Sequence, residues 1–274
     1  MKKRNLLHTV ALALAIAGSS AFSAKALTYN SDDLLLGFYA TGGTGSSNSL
    51  VVNLGQASTY RDFSGTSFDL SLGNIGQDLI DTYGANWATR ADLTWGVFGT
   101  TYTTAVGSDP TNTLYASRPQ AIVGTQAQVY NRGSAATQSG PASRISTLGS
   151  LYASGQTSAT TNSSVATVQP SSLDNDYAQY QANGGSTSFG YFNGALGNFA
   201  DGTSGTQLDL FRMQTGSSSL QGTYEGTFSI NNSGTVTFSS SVTPVPEPST
   251  YGIAMALAAA VFIVIRRRNC AHAA

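Results

Sequence analysis

Between residues 27 and 245 the chain contains no cysteine, no histidine and no lysine. Each absence removes a class of chemistry. Without cysteine there is no disulfide framework and no Cys–His nucleophile. Without histidine there is no Ser-His-Asp triad, and the lack of both residues excludes zinc sites of the usual Cys/His kind. Without lysine there is no Schiff base. Charge is scarce as well. Asp, Glu, Lys and Arg make up 10% of the 274 residues, against about 25% in an ordinary soluble domain. The formal net charge is −1, so no basic excess exists to neutralise phosphates, and nucleic acid is excluded as a partner. The 41% hydrophobic content argues against a charge-rich disordered chain.

What is present is concentrated first at the two ends. Met1-Lys2-Lys3-Arg4, an apolar run from Leu6 to Ala17 and then Ala24-Lys25-Ala26 form the three parts of a secretory signal peptide. Cleavage after Ala26, with Ala24 and Ala26 as the small residues of the site, predicts a mature chain starting at Leu27. The other end reads Val245-Pro246-Glu247-Pro248-Ser249-Thr250, then an apolar stretch to Ile265, then Arg266-Arg267-Arg268. Residues 249–265 would span roughly 25 Å as a helix, the lower limit for crossing a membrane. The arginines should stay on the cytoplasmic side, which places the preceding chain outside. The prolines at 244, 246 and 248 lack amide donors and disfavour helix before them. They predict an extended segment outside the bilayer, open to a protease.

The order Pro246-Glu247-Pro248, short apolar helix, arginine cluster, C-terminus closely resembles the PEP-CTERM sorting tail, over about residues 244–274. That tail occurs on exported proteins of Gram-negative bacteria that also make exopolysaccharide. The resemblance implies recognition by exosortase, an integral-membrane cysteine protease-like enzyme. It implies transient anchoring in the inner membrane, followed by delivery to the cell surface or beyond. Signal peptidase and the export machinery are the other expected partners. It implies nothing about the activity of residues 27–243.

Removing both ends changes the charge. Residues 27–245 hold six arginines and 13 acids, a net of −7. Such a surface repels anionic polymers unless cations bridge them. Within this part, several runs alternate with the period of half-buried strands. They are Leu34/Leu36/Phe38, Leu50/Val52/Leu54, Leu93/Trp95/Val97, Phe189/Tyr191 and Leu208/Leu210. Tyr224, Gly226, Phe228 and Ile230 alternate with Thr223, Glu225, Thr227 and Ser229. The turn Asn231-Asn232-Ser233-Gly234 then returns the chain through Thr235–Phe238, which predicts a hairpin. Leu72, Ile75, Leu79, Ile80 and Tyr83 form one helical stripe, with Ser71 as its cap and Gly84 as its end. Residues 133–172 include 17 Ser or Thr among 40. This stretch is expected as a long surface insertion with a short helix at Ile145, Leu148 and Leu151, or as a glycosylated, stalk-like loop. The fold expected is mainly β, an antiparallel sandwich or jelly roll with one or two helical insertions.

Candidate sites are few. Asp174-Asn175-Asp176 offers the hard oxygen ligands that Ca²⁺ takes, in a partial set, with a solvated turn as the alternative. Asp32-Asp33 reads as a turn before the first strand. A glycosidase needs paired carboxylates, and the only glutamate in this part, Glu225, is expected to face solvent. Trp95 alternates with core positions, whereas Trp87 follows the helix and is the expected exposed platform for stacking on a sugar. No catalytic residue and no obligatory cofactor is assigned. The expected function is that of a non-enzymatic surface or matrix protein associated with exopolysaccharide. A lectin-like carbohydrate-binding module is the second reading and a carboxylate-dependent glycoside hydrolase the third.

Overall fold

The computed structural model describes residues 27–182, 196–199 and 207–240. The leader, residues 249–265 and the run at Phe189 and Tyr191 lie outside the described residues. Among the described residues no helix is long and apolar enough to cross a membrane.

The chain is mainly antiparallel β. Alternation builds β1 (Asp33–Ala40) and β2 (Asn48–Gln56), then a single-turn α1 (Ser58–Arg61), β3 (Ser67–Asp69) and α2 (Ile75–Tyr83). A 3-10 turn at Trp87–Thr89 leads to β4 (Leu93–Thr100) and β5 (Leu114–Pro119). Then follow α3 (Ala135–Ala153), β6 (Ala166–Pro170), α4 (Tyr177–Ala182), β7 (Gly197–Asn198), β8 (Gln207–Met213), β9 (Thr223–Ile230) and β10 (Val236–Ser240). The strands do not divide into the two sheets of a sandwich or jelly roll. They hydrogen-bond in one continuous sheet, β3-β10-β9-β8-β5-β4-β1-β2-β6, with β7 against β4. Its curl replaces the second sheet. One apolar cluster takes Val168 from β6 at one edge and Phe238 from β10 near the other, so the sheet wraps around its own inner face. Helices close that face: Tyr60 of α1 packs on Phe228 and Phe238, and Leu79 and Tyr83 of α2 join the same cluster.

The predicted helix forms, with its start displaced. Asn74, not Ser71, is the cap, and its side chain accepts from the Gln77 amide at 3.2 Å. Gly84 ends the helix at φ +91, the conformation that favours glycine. Ile80 is 40% exposed and lies off the buried stripe.

The Ser/Thr-rich stretch is no surface insertion. It supplies the 19-residue α3, capped by Ser134, and the edge strand β6 paired with β2. Ala142, Ile145, Leu148 and Tyr152 are buried against Leu35, Val51, Phe98 and Phe211 of the outer sheet face. Pro141 lies inside α3 at the cost of one helical hydrogen bond. Burial of Ile145 and Leu148, worth about 1.5–3 kcal/mol each, holds the helix despite that loss. The same face receives Tyr177 of α4, whose ring takes the space a side chain on Gly37 would need.

The predicted hairpin is present, with Ile230 opposite Val236 and Phe228 opposite Phe238. Its far end departs from strict alternation, and this departure shapes the site.

Candidate functional site

Five separate segments bring ionisable side chains together inside the curl. Asp32 stands at the entry to β1 and Arg61 ends α1. Asp109 sits in the β4–β5 connection, where it exchanges two backbone bonds with Val106 and precedes a proline that holds it extended. Arg212 lies on β8 and Glu225 on β9. Tyr115 of β5 is fully buried among them.

Glu225 reaches this group because of a β-bulge. The register runs Leu210↔Gly226 and then Phe211↔Tyr224, so β9 carries one extra residue there. A bulge shifts the phase of alternation. Tyr224 and Thr227, three apart, therefore share a face, and their hydroxyls meet at 2.7 Å. Glu225 turns inward and is 7% exposed, which corrects the expectation that it faces solvent. Gly226 makes the bulge feasible. Its φ is +152, and a Cβ there would collide with the Ser239 carbonyl oxygen.

Asp109 is the hub. It accepts from Tyr115 Oη at 2.6 Å and pairs with Arg61 Nη1 and with Arg212 Nη1, the latter at 3.4 Å. Arg61 also grips the more exposed Asp62 through Nε at 2.8 Å and Nη2 at 2.7 Å. That grip holds the Asp62 carboxyl below its usual range. Arg212 Nε lies 3.1 Å from Glu225 Oε1, an ion pair without hydrogen-bond alignment. Asp32 is left over. It is 0% exposed, its backbone sits at φ +77, and neither carboxyl oxygen receives a hydrogen bond from any described donor. Burial, reinforced by the Asp109 carboxylate and opposed by Arg61, pushes Asp32 up to about 7. Burial also pushes Glu225 up to about 7, against the pull of Arg212. Three buried carboxyls thus face two guanidiniums.

The neighbouring Asp33 lies on the opposite side of the strand with all its needs met. It accepts from the Asn30 amide at 2.8 Å, from Asn53 Nδ2 at 2.9 Å and from Gln56 Nε2. Asp32 lies in the turn that enters β1, as expected, whereas Asp33 is already the first residue of the strand, and both are buried.

The other sequence candidates do not converge. Trp87, expected as an exposed platform, is 1% exposed and stacks edge-on against Phe199 at 5.4 Å. The 3-10 turn tucks it into the inner cluster. Trp95 is fully buried, as expected. Asp176 is buried and committed: its Oδ1 caps α4 by accepting from the Gln179 amide at 2.8 Å, and its Oδ2 accepts from Ser49 Oγ at 3.2 Å. Burial raises its pKa. Asp174 is exposed. Among the described residues no group of three or more His, Cys, Asp or Glu is placed to hold a metal ion. A cavity of ≈ 80 Å³ beside β6 is lined in part by Asp78 and Asp81, and both carboxylates already bond Asn162. That space suits water rather than a sugar. Ala24, Ala26, Pro246, Glu247, Pro248 and Arg266 to Arg268 lie outside the described residues.

Comparison with known proteins locates one feature. Residues 244–268 match the family model of the PEP-CTERM protein-sorting motif. The motif indicates an exported, membrane-sorted protein and implies processing by exosortase. No curated protein and no solved structure matches the chain.

Proposed function

We propose that residues 27–243 form a non-enzymatic surface or extracellular-matrix protein associated with exopolysaccharide. In this reading the leader is removed after Ala26. Residues 249–265 hold the chain transiently in the inner membrane with Arg266–Arg268 on the cytoplasmic side. Exosortase recognises Pro246-Glu247-Pro248 and releases the β-rich part. The sorting motif at 244–268 carries the proposal. The buried carboxylates support it from the other side, because Asp33, Asp78, Asp109, Asp176 and Asp209 spend their oxygens on internal donors. They act as fasteners of the fold.

The experiment replaces Glu247 and follows fractionation. Glu247→Ala should leave the protein in the inner-membrane fraction while the wild type reaches the surface or medium. Unchanged release would overturn the role of the motif. Co-sedimentation of the released wild type with the producing strain's exopolysaccharide should enrich it in the polymer fraction.

The carboxylate-hydrolase reading has one observation in its favour: Asp32 and Glu225 both sit in one cluster with pKa values raised to about 7, within the range of a general acid. Loss of a polysaccharide-cleaving activity in Glu225→Gln would move the assignment there. Trp87 in the interior leaves the lectin-like reading without its stacking platform.

A further inference from the structure

The charge count inside the curl does not balance with every acid ionised. Asp32, Asp109 and Glu225 are all buried, and Arg61 and Arg212 are the cations they meet. Asp109 takes a hydrogen-bonded share of both arginines, and Glu225 takes the remaining edge of Arg212. Asp32 has no donor among the described residues. A buried carboxylate without donors is strongly disfavoured, and protonation is the usual relief. One proton makes the buried group neutral.

We propose that Asp32, Asp109, Glu225, Arg61 and Arg212 form a proton-operated latch. It fastens the start of β1 to α1, β8 and β9 while it holds one proton, and loosens when that proton leaves. The fastening point is local. The Asp32 amide donates to the Thr100 carbonyl at 2.9 Å, and its carbonyl accepts from the Ala57 amide at 2.8 Å. An ionised Asp32 would sit beside the Asp109 carboxylate with no compensating donor. Its positive φ adds strain that opening would release. The charged and titratable groups that act on it are Arg61 from α1, Asp109 and Tyr115 from the β4–β5 region, Arg212 from β8, and, from its own segment, Tyr29 and the adjacent Asp33 across the strand. Glu225 is faced by Arg212, Asp109, Arg61 and Asp62.

The composition makes the device measurable. His8, Cys270 and His272 fall outside residues 27–245, and lysine is absent there. Ordinary carboxylates are ionised by pH 5.5. Between pH 5.5 and 8.5 the folded part is therefore read mainly through Asp32 and Glu225. In this window the folded acids hold protons that the unfolded chain has already released. Stability consequently falls as pH rises toward and through about 7, and levels off above it.

The test is thermal unfolding of the full chain in detergent, followed by the fluorescence of the buried Trp87 and Trp95, from pH 5.5 to 8.5. The wild-type Tm should drop by about 5 °C or more across the range. Asp32→Asn keeps a residue that tolerates positive φ and should remove at least half of that drop by raising Tm at pH 8.5. Glu225→Gln should remove a smaller share. A wild-type slope retained in Asp32→Asn would overturn the latch. If Asp32→Asn does not fold, infrared spectra of the wild type decide. The C=O band of a protonated carboxylic acid should be present at pH 6 and lost at pH 8.5, and its absence at pH 6 would equally overturn the proposal.

Discussion

Two buried carboxylates on opposite faces of the same sheet have opposite fates. Asp209, on β8, accepts from Gln120 Nε2 at 2.8 Å, from the Ala127 amide at 2.6 Å and from Thr227 Oγ1 at 2.6 Å. Every donor is neutral and every one is used to tie the 120–127 loop and β9 to β8. Asp32 is equally buried and meets no donor, only the charges of its neighbours. Burial alone does not decide what an acid does. The donors in reach decide whether it becomes a fastener or a holder of a proton. The bulge on β9 separates the two regions, because it sends Thr227 to Asp209 and, two residues earlier, Glu225 to Arg212.

The largest effect is expected at the satisfied acid. Asp209→Ala strands a buried backbone amide, a glutamine side chain and a hydroxyl at once. It should cost about 3 kcal/mol in urea unfolding at pH 7. A cost under about 1 kcal/mol would mean that the loop does not depend on this carboxylate. The divider comes next. Gly226→Ala places a Cβ against the Ser239 carbonyl at a backbone angle that side chains rarely adopt. It should destabilise by about 2 kcal/mol. If the bulge is what aims Glu225 inward, the variant should also flatten the part of the pH slope that Glu225→Gln removes. A destabilised protein with the full slope intact would uncouple the bulge from the latch.

Much of this fold was legible. Alternation located β1, β2, β4, β8 and the β9–β10 hairpin, and the Leu79/Tyr83 stripe located α2. The failures share a physical cause. Residues 133–172 are rich in Ser and Thr, yet the face that packs is built from Ala142, Ile145, Leu148 and Tyr152. Small residues carry little weight in a hydrophobic count, and Pro141 argues for a break. Period-two reading assumes one residue per rung, so a bulge at Glu225 and Gly226 reverses every inference beyond it. The choice between a sandwich and one curled sheet depends on which strands pair, and alternation is silent on pairing. The charged group draws Asp32, Arg61, Asp109, Arg212 and Glu225 from five places, so no local spacing marks it. The one available signal was arithmetic: six arginines among residues 27–245, with no lysine or histidine, leave few ways to neutralise a buried acid.

Asp62 supplies the smallest expected effect and the sharpest control on the comparison. It joins the network through a two-point bond to Arg61, but its side chain is 63% exposed. Solvent screens such a pair, so Asp62→Ala should change stability by no more than about 0.5 kcal/mol. Arg61 keeps its bond to the buried Asp109 in that variant, and the count of three buried carboxyls against two guanidiniums is unaltered. The drop in Tm between pH 5.5 and 8.5 should therefore stay close to the wild-type value. A large loss of that drop would show that the network is set by its exposed rim, and the contrast between Asp209 and Asp32 would no longer rest on buried donors alone.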